Sequence, residues 1–283
     1  MLNLKIGTKD HFKLAATLYR SNTSDSNPPL VIINSATGVN QRYYTRYASY
    51  LAENNFNVLT YDYRGIAASR PNKLRGFLAG ITDWGQLDLP AVINYASAEF
   101  DPDKIFIIGH SIGGSILGLC PESAKAKGII NVAAQMAFYK DRTKSDRYKI
   151  YFLWHIVLPI VTKFYGYFPG KRWKLEDIPK GVVQQWHARR LMPSMEEQLT
   201  KAGYPVYFKS IRCNLLNYCL EDDPIGTPTA VGRLAALFSN AIVETKVVSP
   251  ESLGVKEIGH FGFFRKEYQE SLWKNSINWL KAL

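Results

Sequence analysis

The 283-residue sequence predicts an α/β fold with a mostly parallel central sheet flanked by helices. Three observations carry that expectation. Short, fully apolar runs such as Leu30-Val31-Ile32-Ile33 and Ile105-Phe106-Ile107-Ile108 fit strands covered on both faces. Segments with helical apolar spacing lie between such runs, the alternation expected of parallel strands joined by helices. Finally, 46% hydrophobic and 21% charged residues describe a chain that folds, and its length allows one large core with an insertion.

In chain order, the alternating patterns Leu2–Ile6 and Phe12–Tyr19 predict an antiparallel hairpin at a sheet edge, followed by a polar loop, Ser21–Pro29. Leu30–Asn34 predicts the first buried strand. Tyr44, Tyr47, Ala48 and Leu51 then form one face of a helix. Phe56–Tyr61 predicts a strand ending in Asp62-Tyr63-Arg64-Gly65, and Trp84–Ala98 a helix. Two further strands follow, the one that leads into Gly109 and the one over Gly128–Ala134. From about Phe138 to Tyr207 the alternation breaks: aromatics, prolines and basic residues replace strand-length runs. We therefore divide the chain into a core of residues 1–137 and 208–283 and an inserted helical cap over 138–207, with Pro159, Gly166, Pro169 and Gly170 interrupting any long helix. After the insertion, Cys213–Leu220 and Ile242–Val248 read as strands and Ala230–Phe238 and Tyr268–Leu280 as helices. Leu272, Trp273, Ile277 and Leu280 form the buried side of the last helix.

Composition narrows the function classes. The net charge is +11, and +7 of it falls between Lys140 and Lys201, which places Lys and Arg on the outer face of the cap. No zinc finger, RNP motif or heptad basic region accompanies this charge, so nucleic acid is not an expected partner. No apolar run approaches the roughly 18 residues of a membrane span, and the first residues lack the charged and apolar blocks of a signal peptide, so a cytoplasmic protein is expected. The basic cap remains a candidate for peripheral membrane contact. Cys120, Cys213 and Cys219 are odd in number, have no metal-ligand spacing and fit small core residues, so neither a disulfide framework nor a zinc site is expected. Nothing in the sequence sets the oligomeric state.

The chemistry centres on Gly109-His110-Ser111-Ile112-Gly113-Gly114, where a buried strand runs into a small-residue turn and a helix. This is the pattern of a nucleophile elbow. Ser111 is the candidate nucleophile, and the Ile112 N–H, at the start of the helix, is a candidate oxyanion donor. A serine hydroxyl needs a base and a carboxylate to orient that base. Of the five histidines, His11 lies in the first hairpin, His155 and His187 in the cap, and His110 beside the serine. His260, within Gly259-His260-Phe261-Gly262 before the last helix, is the candidate base. Glu221-Asp222-Asp223-Pro224 follows a strand, so its carboxylates emerge at the sheet edge where open α/β sheets bind ligands. Asp223, restricted by Pro224, is the preferred acid, with Asp222 the alternative. Ala36, Gly38, His110 and Trp154 are candidates for the substrate site.

Together with Asp62-Tyr63-Arg64-Gly65, Asp222-Asp223-Pro224 and Gly259-His260-Phe261-Gly262-Phe263-Phe264, this elbow resembles the α/β-hydrolase superfamily over nearly the whole chain. The resemblance is strongest to its serine aminopeptidase-like, proline-iminopeptidase-like branch, and within it to uncharacterised hydrolases. It implies the α/β-hydrolase fold, a serine hydrolase without cofactor, and roles for Ser111, an acid at Asp222 or Asp223, and His260. Many relatives place His-Gly after the first buried strand to supply the second oxyanion donor. Here Ser35-Ala36-Thr37-Gly38-Val39 stands there, and matching the chains through Tyr43-Tyr44 puts Thr37 in the donor's place. Ala67 is a second departure, since relatives often carry glycine at that position. The expected activity is hydrolysis of a carboxylic ester, thioester or amide of a small-molecule acyl substrate through an acyl-enzyme. The alternative is a non-catalytic protein that keeps the fold and uses its basic cap to contact anionic lipid or a protein.

Overall fold

The computed structural model describes residues 1–23, 27–142, 144–188 and 195–283. Parts of the expected polar loop (24–26) and of the expected cap (143 and 189–194) lie outside the described residues. Eight strands form the main sheet: β1 (Leu2–Gly7), β2 (Lys13–Tyr19), β3 (Leu30–Asn34), β4 (Asn57–Tyr61), β5 (Ile105–His110), β6 (Gly128–Val132), β9 (Asn214–Leu220) and β10 (Ile242–Val248). Between β6 and β9 a separate pair, β7 (Tyr167–Phe168) and β8 (Ile178–Pro179), joins only to itself. The main sheet runs β1-β2-β4-β3-β5-β6-β9-β10; β1–β2 and β2–β4 are antiparallel and the remaining pairs parallel.

Alternation along the central strands explains the two-sided cover. Val31 and Ile33 of β3 and Phe106 and Ile108 of β5 join an apolar cluster with Tyr44, Tyr47, Leu51, Trp273 and Ile277, on one face. Leu30, Ile32, Ile105 and Ile107 face the other way, into a cluster with Trp84, Leu89 and Val92. Each side chain of this size removed from water contributes about 1.5–3 kcal/mol. The helices over Thr45–Glu53 and 269–281 cover the first face, and 81–99 the second. By contrast β10 is an edge strand with Ile242, Val243 and Val247 exposed, and Glu244 and Lys246 place charge along that edge. The three cysteines are free, with Cys120 and Cys219 buried and Cys213 half-buried.

Three helices depart from their sequence expectations. The helix after Ser111 is a single α-turn, Ile112–Ser115, that tightens to 3₁₀ geometry over Ile116–Leu119. The helix expected from Trp84 begins at Ile81 and widens to a π-turn over Trp84–Asp88. Across the insertion, 144–165 is continuous helix although Pro159 was expected to interrupt it, and it too widens, over Leu153–Val157. The same cause serves both π-turns. Each ends two residues before a proline, Pro90 or Pro159, whose missing N–H and ring would clash with a carbonyl one α-turn back; the wider turn moves that carbonyl aside. The third π-turn, Gln269–Trp273, has no such proline, and nothing in the structure explains it. Among the described residues no helix is long and apolar enough to cross a membrane.

Candidate active site

Strand order reverses around β3, which lies between β4 and β5, so the loops leaving β3 and β5 part from each other at the carboxyl edge of the sheet. Ser111 leaves β5 there. Its backbone adopts φ 54° and ψ −117°, a left-handed conformation that a non-glycine residue holds only under constraint. The constraint is visible. Ser111 N–H donates to the Val132 carbonyl at 2.9 Å. A Cβ on Gly109 would sit 2.6 Å from the Gly114 backbone, and one on Gly113 would collide with the Asn34 carbonyl. Only glycine at both positions lets the turn close this tightly.

Asp223 and His260 reach the same edge from the loops after β9 and β10. His260 Nδ1 lies 2.6 Å from Asp223 Oδ2, and both residues are buried. Burial of Asp223 favours its neutral form, but the hydrogen bond and charge of His260 and the N–H groups of Gly226 and Ile225 outweigh it, holding the carboxyl below the usual range. An ionised Asp223 accepts the Nδ1 proton, leaving Nε2 as the nitrogen available to a reactant. Asp222 is occupied differently: its carboxylate accepts from Ile258 N–H at 2.7 Å and Gly259 N–H at 3.0 Å. It fastens the backbone of the short helix Gly259–Gly262 that carries His260, which the sequence placed in a loop.

His110 was a candidate for the substrate site, and the structure corrects this. Its ring is fully buried beneath the site, with Nε2 3.0 Å from the His260 carbonyl and Nδ1 2.8 Å from the Tyr44 hydroxyl. A carbonyl only accepts, so Nε2 carries the proton. Burial, with His260 nearby, pushes the imidazole down to about 3, so the ring is neutral and Nδ1 accepts from Tyr44. The Tyr44 oxygen in turn accepts from Ala36 N–H at 2.8 Å. One chain of hydrogen bonds thus ties the loop after β3 to the His260 backbone, and Tyr43 reinforces it by donating to the Phe261 carbonyl at 2.7 Å.

A cavity of about 310 Å³ opens over these groups, near the small end of the range for ligand pockets. Ser111, His260, Thr37 and Gln135 form its polar floor with Ala36 beside them, and its wall is apolar: Leu153, Trp154, Val157, Leu158, Phe168, Trp173, Leu175, Ile178 and Trp186 come from between β6 and β9. Trp154 and Trp186 stack with centroids 5.7 Å apart. Phe152 and Ile156, on the same helix as Trp154, face solvent instead. Gly38 lies outside the cavity too, with its backbone turned to positive φ and its carbonyl accepting from Glu176 N–H at 2.7 Å. Ile112 begins its helix, so its N–H has no intrahelical partner.

Two residues were not visible as site residues in the sequence. Gln135 Nε2 lies 3.5 Å from Ser111 Oγ, and Ser115 Oγ holds the Gln135 carbonyl at 2.6 Å. Arg142 breaks the expectation that the basic residues of 138–207 all face outward. It is buried, donates to the Pro224 carbonyl, and lays its guanidinium over Trp154 at 4.7 Å from the ring centre. Burial pulls it down to about 10, against the attraction of Asp223.

Asp62-Tyr63-Arg64-Gly65 supports the site from behind. Asp62 accepts from Gln41 N–H and Nε2, Tyr63 donates to the Ser35 carbonyl and stacks on Trp84, and Arg64 pairs with Asp88 and Asp10.

No curated protein matches the sequence. The family described as serine aminopeptidase, S33, matches residues 28–167. Among solved structures, DcsB in complex with its substrate analogue superposes with a TM-score of 0.66 at 15% identity, covering 99% of each chain. A soluble variant of monoglyceride lipase from Saccharomyces cerevisiae, in complex with a substrate analog, gives 0.66 at 14% identity over 100% of this chain and 95% of that one. The esterase EaEST from Exiguobacterium antarcticum gives 0.61 at 15%, over 99% of this chain and all of the other. With its mostly parallel sheet, its serine turn after β5 and these likenesses, the chain has the α/β-hydrolase fold.

Proposed function

We propose that the chain is a serine hydrolase that cleaves an ester, thioester or amide of an apolar acyl group. One observation carries the reading: the Asp223–His260 pair and the strained Ser111 turn open into one apolar cavity. In the proposed reaction Ser111 Oγ attacks the substrate carbonyl carbon while His260 Nε2 takes the hydroxyl proton and passes it to the leaving group. The charge that develops on the carbonyl oxygen falls to the N–H groups of Ile112 and Thr37. Water then attacks the acyl-enzyme, His260 Nε2 taking its proton and returning it to Ser111 Oγ as the acyl–oxygen bond breaks and the acid is released. Asp223 holds the imidazole by Nδ1 throughout. Gln135 Nε2 holds the resting hydroxyl and gives up that contact as His260 engages it.

Residues 138–207 act as the cap in this proposal, since their side chains wall the cavity above Ser111. Neighbours described as an esterase and a monoglyceride lipase favour oxygen esters among the three substrate types. The test is labelling by a fluorophosphonate probe beside turnover of a short p-nitrophenyl ester. The wild-type chain labels and turns over; Ser111→Ala does neither while keeping its circular dichroism spectrum. Absence of labelling in the wild type, or turnover by Ser111→Ala, overturns the reading.

A further inference from the structure

The continuous helix over 144–165 is apolar on both sides. Its inner side supplies Trp154, Val157 and Leu158 to the cavity wall. Its outer side exposes Tyr148, Phe152, Ile156, Ile160 and Phe164, with Tyr148 and Phe164 each 77% exposed. A four-residue spacing drifts about 40° per step around an α-helix, which would wind this row away from any flat surface. The π-turn over Leu153–Val157 accommodates an extra residue and takes back part of the drift. Of the fifteen large apolar residues exposed among the described ones, seven fall within 148–173. Such a concentration marks a contact surface rather than ordinary scatter.

Charge identifies what the surface meets. From Arg147 to Leu175 the sequence holds six Lys and Arg and not one Asp or Glu. Lys149, Lys163, Lys171, Arg172 and Lys174 are exposed, and at the end of the helix the exposed Arg75 donates to the carbonyls of Phe164 and Tyr165. A second copy of the chain would set these like charges against one another across a two-fold axis. An anionic surface with an apolar interior accepts both features at once: the side chains enter the headgroup boundary and the cations meet lipid phosphates and carboxylates. Leu153 and Trp173 are both exposed and part of the cavity wall, so the same face adjoins the mouth above Ser111.

We infer that this face docks the protein on an anionic lipid bilayer, with the cavity mouth turned to the membrane. Only the direction in which substrate arrives rests on the proposed hydrolase reading; docking does not.

The experiment is co-sedimentation of the Ser111→Ala protein with vesicles of phosphatidylcholine alone or of phosphatidylcholine with phosphatidylserine. Strong binding to the second and little to the first is expected. Each cation near such a surface strengthens binding about fivefold. Lys149→Gln/Lys163→Gln/Lys174→Gln and Phe152→Ser/Ile160→Ser/Phe164→Ser should each weaken it at least tenfold. In the Ser111 background these triples should turn over a soluble short ester as the wild type does, which also shows that they fold. Equal binding to both vesicles, no binding, or triples that bind unchanged would overturn the inference. So would a lipid-free dimer in analytical ultracentrifugation that the apolar triple splits. Ester turnover kept while vesicle binding is absent overturns docking alone; turnover absent while binding is kept overturns the hydrolase reading alone.

Discussion

The floor and the roof of the cavity are built by different forces. On the floor, Ser111, His260, Asp222, Asp223, His110 and Tyr44 are each fixed by named hydrogen bonds, most to main-chain atoms of a neighbouring strand or loop. Around the cavity the roof presents stacked indoles, aliphatic side chains and one buried cation, and its hydrogen bonds to the core, such as Gln185 Nε2 to Thr82 Oγ1 and Glu176 N–H to the Gly38 carbonyl, involve residues that do not face Ser111 across the cavity. Among the described residues, Arg142 Nε and Nη2, Trp186 Nε1 and Thr162 Oγ1 are buried in this segment without a hydrogen-bond partner. Directional bonds fix atoms to tenths of an ångström, whereas apolar packing tolerates volume-conserving changes. The floor is thus suited to chemistry and the roof to selecting what reaches it.

Substitutions can break that contrast, and the largest effect is expected on the floor. Asp223→Asn should lower kcat by as much as about 10⁴, whereas Asp222→Asn, which keeps one carbonyl oxygen for the Ile258 and Gly259 N–H groups, should lose far less. Steady-state kinetics on one ester separates them, and the reverse order would reassign the acid. The lowered carboxyl of Asp223 adds a pH signature. A group lowered on folding stabilises the folded state above its ordinary value, and that stability is lost as pH falls through the lowered one. Thermal melts of the wild type should therefore drop more steeply than those of Asp223→Asn only below the usual carboxylate range.

Tyr44→Phe comes next. It strips a partner from Ala36 N–H and from His110 Nδ1 in a fully buried place, which should cost about 1–3 kcal/mol in a denaturant titration. Because both loops of the site hang on this chain, kcat should fall with it. Were Tyr44→Phe as stable as the wild type, the floor would not be bonded as described.

On the roof, Trp154→Ala should act mainly on KM. Removing ground-state and transition-state contact alike raises KM with kcat little changed, and the enlarged cavity should shift preference toward longer acyl groups in a chain-length series. A kcat loss as large as that of Asp223→Asn would erase the distinction between floor and roof. The smallest effect is expected far from both. Ala67 holds φ 41°, where a Cβ costs about 1 kcal/mol or more, so Ala67→Gly should be neutral or raise Tm slightly without changing kinetics.

The sheet was legible because burial on both faces writes itself as unbroken apolar runs, and β3 and β5 carry such runs. Ser111 was legible as a turn because glycine is demanded on either side of it. The choice between Asp222 and Asp223 was not, since neighbours on one loop differ only in where each side chain points. No pattern announced the widening before Pro159, which depends on a helix already being in place. Arg142 was misread for a physical reason: composition assigns charges to water, and only the tertiary structure supplies a Trp154 face and a Pro224 carbonyl to take one inside. His110, next to the serine, reads in the sequence as a substrate-site residue, because the partners that bury it stand 66 and 150 residues away.

That distance along the chain has a mechanical meaning. Strand β5 delivers Ser111 directly and, one residue earlier, hands the His110 Nε2–H to the carbonyl of His260. The proposed nucleophile and the proposed base therefore share a common mount, although the polypeptide between them is more than half the molecule. When the sheet flexes, or when β5 shifts against its neighbours, both reacting groups are carried in the same direction. Their spacing is then insulated from distortions that would separate residues held by unrelated strands, and His110, which touches no substrate in this arrangement, is the coupling that does it.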